Sequence, residues 1–197
     1  MEAILIALFA YLLGSVPFGL VLTRAAGLGD IRQIGSGNIG ATNVLRTGRK
    51  DLALATLALD SGKAAVAAVI AGLLSGGNPY LVALAGALAF LGHCFPVYLG
   101  FRGGKGVATY FGTLIAFGWT GLALGAATWL GTALITRYSS LAALVTAAVV
   151  PVGFLLTGRF AFFLGTLFMS AVIYFRHRGN IVRLLDGVEP RIGSKSS

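Results

Sequence analysis

Four stretches of this chain, residues 3–23, 107–136, 138–158 and 160–175, contain no charged side chain. A helix needs about 20 mostly apolar residues to cross the hydrocarbon core of a bilayer. Residues 51–75, carrying Asp60 and Lys63, and residues 80–99 form two further apolar segments, parted by the turn cluster Ser75-Gly76-Gly77-Asn78-Pro79. Met1-Glu2 supplies no basic leader, so the first segment reads as a span and not a signal peptide. Charged residues make up only 11% of the 197-residue chain and hydrophobic ones 57%. That excludes a soluble globular domain, a disordered chain and a coiled coil. The 29 glycines have no collagen period and suit close packing of membrane helices. The fold class is an all-α polytopic membrane protein, one domain over residues 1–197.

The basic residues orient it. With the N-terminus outside, every Lys and Arg except Lys63 and Arg159 falls on the cytosolic side, Lys195 of the tail included. The net charge of +9 is thereby accounted for without a nucleic-acid partner. Residues 107–136 would make about 45 Å of helix, long for one crossing and short for two. A single crossing would export the basic tail. The stretch therefore crosses twice or not at all: seven transmembrane helices, with five plus a re-entrant hairpin as the alternative. The N-terminus is outside and the C-terminus cytosolic.

Three polar segments then share the cytosolic face. In the first, residues 27–50, Gly35, Gly37 and Gly40 allow backbone N–H groups to turn inward as an anion nest. Ser36, Asn38, Thr42 and Asn43 add neutral donors and Arg46 adds charge. On composition alone, a glycine-rich loop that merely packs against helices fits equally well. No Gly-Lys-Ser/Thr closes it, which argues against a P-loop. In the second, Gly103, Gly104 and Gly106 flank Lys105, and Thr109 lies in the helix that follows. That is a phosphate-cradling order of backbone donors, point charge and helix N-terminus. The third follows the last span. If its helix continues, His177, Asn180 and Leu184 share a face, while its arginines read as a grip on anionic headgroups.

Asp60 and Lys63, i and i+3 within a span, read as a structural ion pair beneath the site. No group of ligands is spaced for a metal, and no His-x4-Asp or nucleophile elbow occurs. A transporter or channel for phosphorylated metabolites is the rival reading. It would show midplane polar groups and repeated broken helices, whereas the polar clusters here keep to one face.

GSVPFG at 14–19, GSGNIGATN at 35–43, GHCFPVYLGFRGGKGVAT at 92–109 and HRGNIVRLLDGVE at 177–189 come in the order of a known family. The chain resembles the bacterial acyl-phosphate:glycerol-3-phosphate acyltransferases along essentially its whole length. Arg102 and Gly179 depart from the usual pattern. The resemblance implies transfer of a fatty acyl group from acyl phosphate to the 1-hydroxyl of sn-glycerol 3-phosphate, giving lysophosphatidic acid and phosphate. It implies Ser36, His177 and Asn180 as catalytic and Arg46 and the loop around Lys105 as phosphate-binding. Glu189 is structural by the same pattern. No cofactor is implied. The implied surroundings are the bacterial cytoplasmic membrane and its lipid, with the site on the cytosolic face. A soluble enzyme that makes acyl phosphate is a further partner the resemblance suggests.

Overall fold

The computed structural model describes residues 1–193, and Lys195 lies outside them. Ten α-helices succeed one another: α1 Glu2–Ser15, α2 Phe18–Ala25, α3 Ala41–Val44, α4 Lys50–Leu74, α5 Pro79–Cys94, α6 Val107–Phe117, α7 Trp119–Thr136, α8 Ser139–Leu156, α9 Phe160–Arg176 and α10 Arg178–Leu185. The described residues contain no strand. Each predicted apolar segment became helix because only a helix satisfies its own backbone in lipid. Asn78 starts α5 by accepting the Tyr80 N–H at 3.0 Å, with Pro79 in the first turn.

The first segment is not one rod: Pro17 breaks it between α1 and α2. Pro151 lies inside α8 and removes a donor that would have met the Ala147 carbonyl. The Ser170 hydroxyl of α9 donates to that carbonyl instead, at 2.6 Å. Helices approach closely where one has no side chain. A Cβ on Gly14 would fall 2.1 Å from the Ala89 carbonyl oxygen of α5, and one on Gly112 would fall 1.9 Å from that of Ser61 in α4. Phe90, Tyr110, Leu114, Phe117, Met169 and Ile173 form the largest buried cluster.

Residues 107–136 fold as two helices broken at Gly118, whose φ of 107° only glycine adopts readily. Arg159 holds that turn. Its guanidinium donates to the Phe117 carbonyl and to Thr120 Oγ1 and lies over the Phe154 and Phe162 rings. At the other end, Lys105 before α6 and Arg137 after α7 both meet the C-terminal segment, at Asn180 and Ile192. Both ends of the hairpin therefore lie at the end of the bundle that carries the C-terminal segment. Among the described residues four stretches are long and apolar enough to span, residues 2–25, 50–74, 79–99 and 139–156. A fifth is counted if α9 and α10, bent by 61°, form one. The predicted seven differ from these five by the two hairpin helices: α6 has only 11 residues, about 16 Å of helix, and α7, though 18 residues long, is interrupted by Thr, Gly and Trp and is not apolar enough.

Candidate functional site

The first polar loop is organised by one amide. Asn43, 1% exposed, accepts at Oδ1 from the Ser36 N–H at 3.1 Å and the Ser36 hydroxyl at 3.3 Å. Its Nδ2 donates to the carbonyls of Ile31, Ile34 and Asn38 at 2.8–3.0 Å. Both ends of the side chain are engaged, so Asn43 builds the loop and is not a free donor to an anion as expected. Gly35 and Gly37 have positive φ, 55° and 68°, and a Cβ on Gly35 would strike Asn43 Oδ1 and Arg46. Gly40, by contrast, is extended and precedes α3. Ser36, Thr42 and Arg46 are exposed on the loop; Asn38 is half-buried, with a buried Oδ1 that has no hydrogen-bond partner among the described residues. Arg24 and Arg32 pair with Asp30, and Arg49 pairs with Asp51. Arg46 is the loop's arginine without a carboxylate partner among the described residues.

In the second loop the backbone donors at Gly103 and Gly104 are already used. The Gly103 N–H donates to the Cys94 carbonyl at 3.2 Å and the Gly104 N–H to the His93 carbonyl at 3.0 Å, closing the end of α5. This corrects the expectation that these two N–H groups cradle phosphate. Gly106 opens α6 with φ 84°, and among the described residues no side chain caps the first N–H groups of that helix. Thr109, fully buried in the first turn of α6, has a hydroxyl without a hydrogen-bond partner among the described residues. The loop's carbonyls are held from the other side: Arg176 Nε donates to Gly104 at 2.9 Å and Nη2 to Gly103 at 2.5 Å.

The third segment closes over the second of these loops. The chain bends at His177, and Ile181 and Leu184 pack α10 against the buried cluster. The helix therefore does not run straight on from α9, as the shared-face reading required. Asn180 is buried in the fold of that bend. Lys105 Nζ donates to its Oδ1 at 2.6 Å, and its Nδ2 donates to Glu189 Oε1 at 2.5 Å. Glu189 also accepts from the Ser140 hydroxyl at 2.6 Å and from Arg183 Nε at 2.7 Å. Those hydrogen bonds hold its carboxyl below the usual carboxylate range although burial pushes the other way. Burial first, then the charges of Arg183, Arg176 and Arg46, depresses the Lys105 ammonium, with Glu189 opposing. His177 Nδ1 lies 2.9 Å from the Ile173 carbonyl. A carbonyl only accepts, so Nδ1 carries the proton and Nε2 keeps its lone pair. Past the end of α9, burial pulls this imidazole down to about 4.

Asp60 and Lys63 pair at 2.9 Å inside the bundle, as expected of a structural pair, and His93 joins them. Sequence reasoning missed Arg176, Arg183, Ser140 and His93. The arginines read as headgroup contacts, and nothing in an apolar span marks Ser140. The described residues contain no group of three or more His, Cys, Asp or Glu able to hold a metal.

The fold and site define a class: an α-helical integral membrane protein with a cationic, polar cluster at one end of the bundle. The chain belongs to the glycerol-3-phosphate acyltransferase family, which matches residues 4–187. It is 59% identical to the glycerol-3-phosphate acyltransferase of Maricaulis maris (strain MCS10), over 100% of this chain and 92% of that one. It is 57% identical to the enzyme of Brucella ovis, over 95% and 92%. Among solved structures it is similar to PlsY (YgiH), an integral membrane glycerol 3-phosphate acyltransferase. To its glycerol 3-phosphate form the TM-score is 0.92, with 38% identity over 98% of this chain and 96% of that one. To its lysophosphatidic acid form the TM-score is 0.90, with 36% identity over the same shares.

Proposed function

We propose that this chain transfers a fatty acyl group from acyl phosphate to the 1-hydroxyl of sn-glycerol 3-phosphate, releasing lysophosphatidic acid and phosphate. The observation that carries this reading is the meeting of Lys105, Arg176 and Arg183 around Asn180, Glu189 and the carbonyls of the second loop, with Arg46 near enough for its charge to lower the Lys105 ammonium. Positive charge gathered around one partly buried centre favours an anion there, and both substrates carry phosphate. Arg46 and Lys105 bind phosphate. Asn180, fixed by Glu189, holds the Lys105 ammonium in place.

The substrate hydroxyl oxygen attacks the acyl carbonyl carbon, and a new C–O bond forms. The bond from that carbon to the bridging oxygen breaks, and phosphate leaves with the electron pair. The hydroxyl proton passes to an oxygen of the donor phosphate. Ser36 and the uncapped N–H groups of α6 supply donors for the tetrahedral oxyanion. His177 positions the reacting groups through Nε2. Its partner is a backbone carbonyl and not a carboxylate, so the imidazolium that a general base must become has no orienting charge. The acyl chain lies along the apolar bundle, where each buried CH₂ adds about 0.8 kcal/mol.

The placement belongs to the same proposal. The chain is one integral membrane domain with its N-terminus outside and its site facing the cytosol across the bacterial inner membrane. The α6–α7 hairpin completes seven crossings, the loop before α6 making up the length that the helix lacks.

Purified protein in detergent, given acyl phosphate and glycerol 3-phosphate, should yield lysophosphatidic acid and phosphate in equal amounts. Lys105→Ala removes a charge-assisted contact worth about 1.5–3 kcal/mol, so kcat/KM should fall about 10- to 150-fold. No product from the unaltered protein with both substrates present would overturn the reading.

A further inference from the structure

One buried polar group lies outside the residues given a role above. Asp60, Lys63 and His93 are 2%, 4% and 4% exposed, on α4 and α5. The Lys63 ammonium has three polar neighbours. It reaches Asp60 Oδ1 at 2.9 Å, the Val16 carbonyl at 2.9 Å and His93 Nδ1 at 3.0 Å. The Val16 carbonyl is within reach because Pro17 ends α1 there. His93 Nδ1 thus faces both the ammonium and, at 3.5 Å, Asp60 Oδ1.

The other edge of that ring faces the second loop. A Cβ on Gly104 would fall 2.1 Å from His93 Nε2, so the imidazole and the loop backbone are in direct contact. The main chain of the same residue accepts the Gly104 N–H. Arg176 holds the opposite side of the loop by the carbonyls of Gly103 and Gly104. Lys105 is the next residue. The loop is therefore clamped between an arginine and an imidazole, and Lys63 sets the rotation of the imidazole. Apolar side chains of similar volume would pack these helices at least as well as a buried ion pair. They would not fix the angle of a ring.

We propose that His93, oriented by Lys63 and Asp60, is a positioning residue for Lys105, so that the buried polar group sets the distance of the ammonium from the substrate phosphate. This rests on Lys105 binding phosphate, as proposed above. It makes a specific demand: once Lys105 has no ammonium, His93 has nothing to position.

The test is a double-mutant cycle on kcat/KM for acyl phosphate, with His93→Leu, Lys105→Ala and the pair, each checked for thermal unfolding in detergent. Coupled neighbours show interaction effects of about 2- to 150-fold. We expect His93→Leu to lose about 10-fold in the Lys105 protein and less than about 2-fold in the Lys105→Ala protein. If His93→Leu does not fold, the neutral exchange Asp60→Asn with Lys63→Met takes its place in the cycle. It leaves no unpaired charge in the bundle and should show the same dependence on Lys105. Equal losses in both backgrounds, or kinetics unchanged by either set of substitutions, would overturn the positioning role. An unaltered protein that forms no product would instead sink the acyltransferase reading, so the two failures are distinct.

Discussion

His177 is buried, yet among the described residues its imidazole is bonded to nothing stronger than a backbone carbonyl. Burial, with the charges of Lys105 and Arg176 acting the same way, holds it down to about 4, well under the ordinary ~6.5. At neutral pH it is uncharged, and it gains a proton only as pH falls toward that lower value. Turnover limited by chemistry should accordingly show no titration limb near 6.5. His177→Gln keeps hydrogen-bonding capacity without a comparable base, and should retain much more activity than His177→Ala. A general base would contribute about 10²–10⁴-fold. Equal, near-complete loss in both folded variants would restore it to that role. The sequence already placed this histidine among cations. The carbonyl that fixes its tautomer is a matter of where α9 ends.

At the scale of elements, apolar runs marked the helices well, and the departures have chemical causes. Proline divides the first span, glycine divides the fourth apolar stretch, and α10 turns aside at His177 because Ile181 and Leu184 have a core to reach. The polar loops were less legible. Asn43 stands among several neutral donors in sequence, and only the folded loop reveals that its amide gathers three carbonyls. Asn43→Ala strands those carbonyls, and a buried unpaired polar group costs about 1–3 kcal/mol. The loop should open while the bundle persists. Trypsin cleavage after Arg32, Arg46 or Arg49 should accelerate by at least about 10-fold with helical circular dichroism unchanged, and activity should be lost. Unaltered cleavage would show that the loop stands without this amide.

For the whole molecule, the decisive property is which end faces the cytosol. The string of Lys105, Asn180, Glu189 and Ser140 joins the second loop, the C-terminal segment and α8 at one end, and Arg159 marks the other. In a Cys94→Ser background, single cysteines at Lys50, Arg102 and Arg178 should react only with reagents that reach the cytosolic face. Cysteines at Tyr80 and Thr157 should react only from outside. Labelling of Arg102 and Arg178 from opposite sides would break the shared site, whatever the number of spans.

Charge-free length determined the class of fold, because lipid admits few ways to satisfy a backbone. The unequal distribution of Lys and Arg determined that residues 107–136 must return to their starting face. The order of four motifs determined the family resemblance. Tertiary structure alone decided which donors remain for a ligand. It spent the N–H groups of Gly103 and Gly104 on the end of α5 and the amide of Asn43 on its own loop. It brought Arg176 to the loop carbonyls and His93 to the loop's other face. A polar group's partner depends on helices far apart in the chain, and residue type and spacing do not encode which of its neighbours reaches it first.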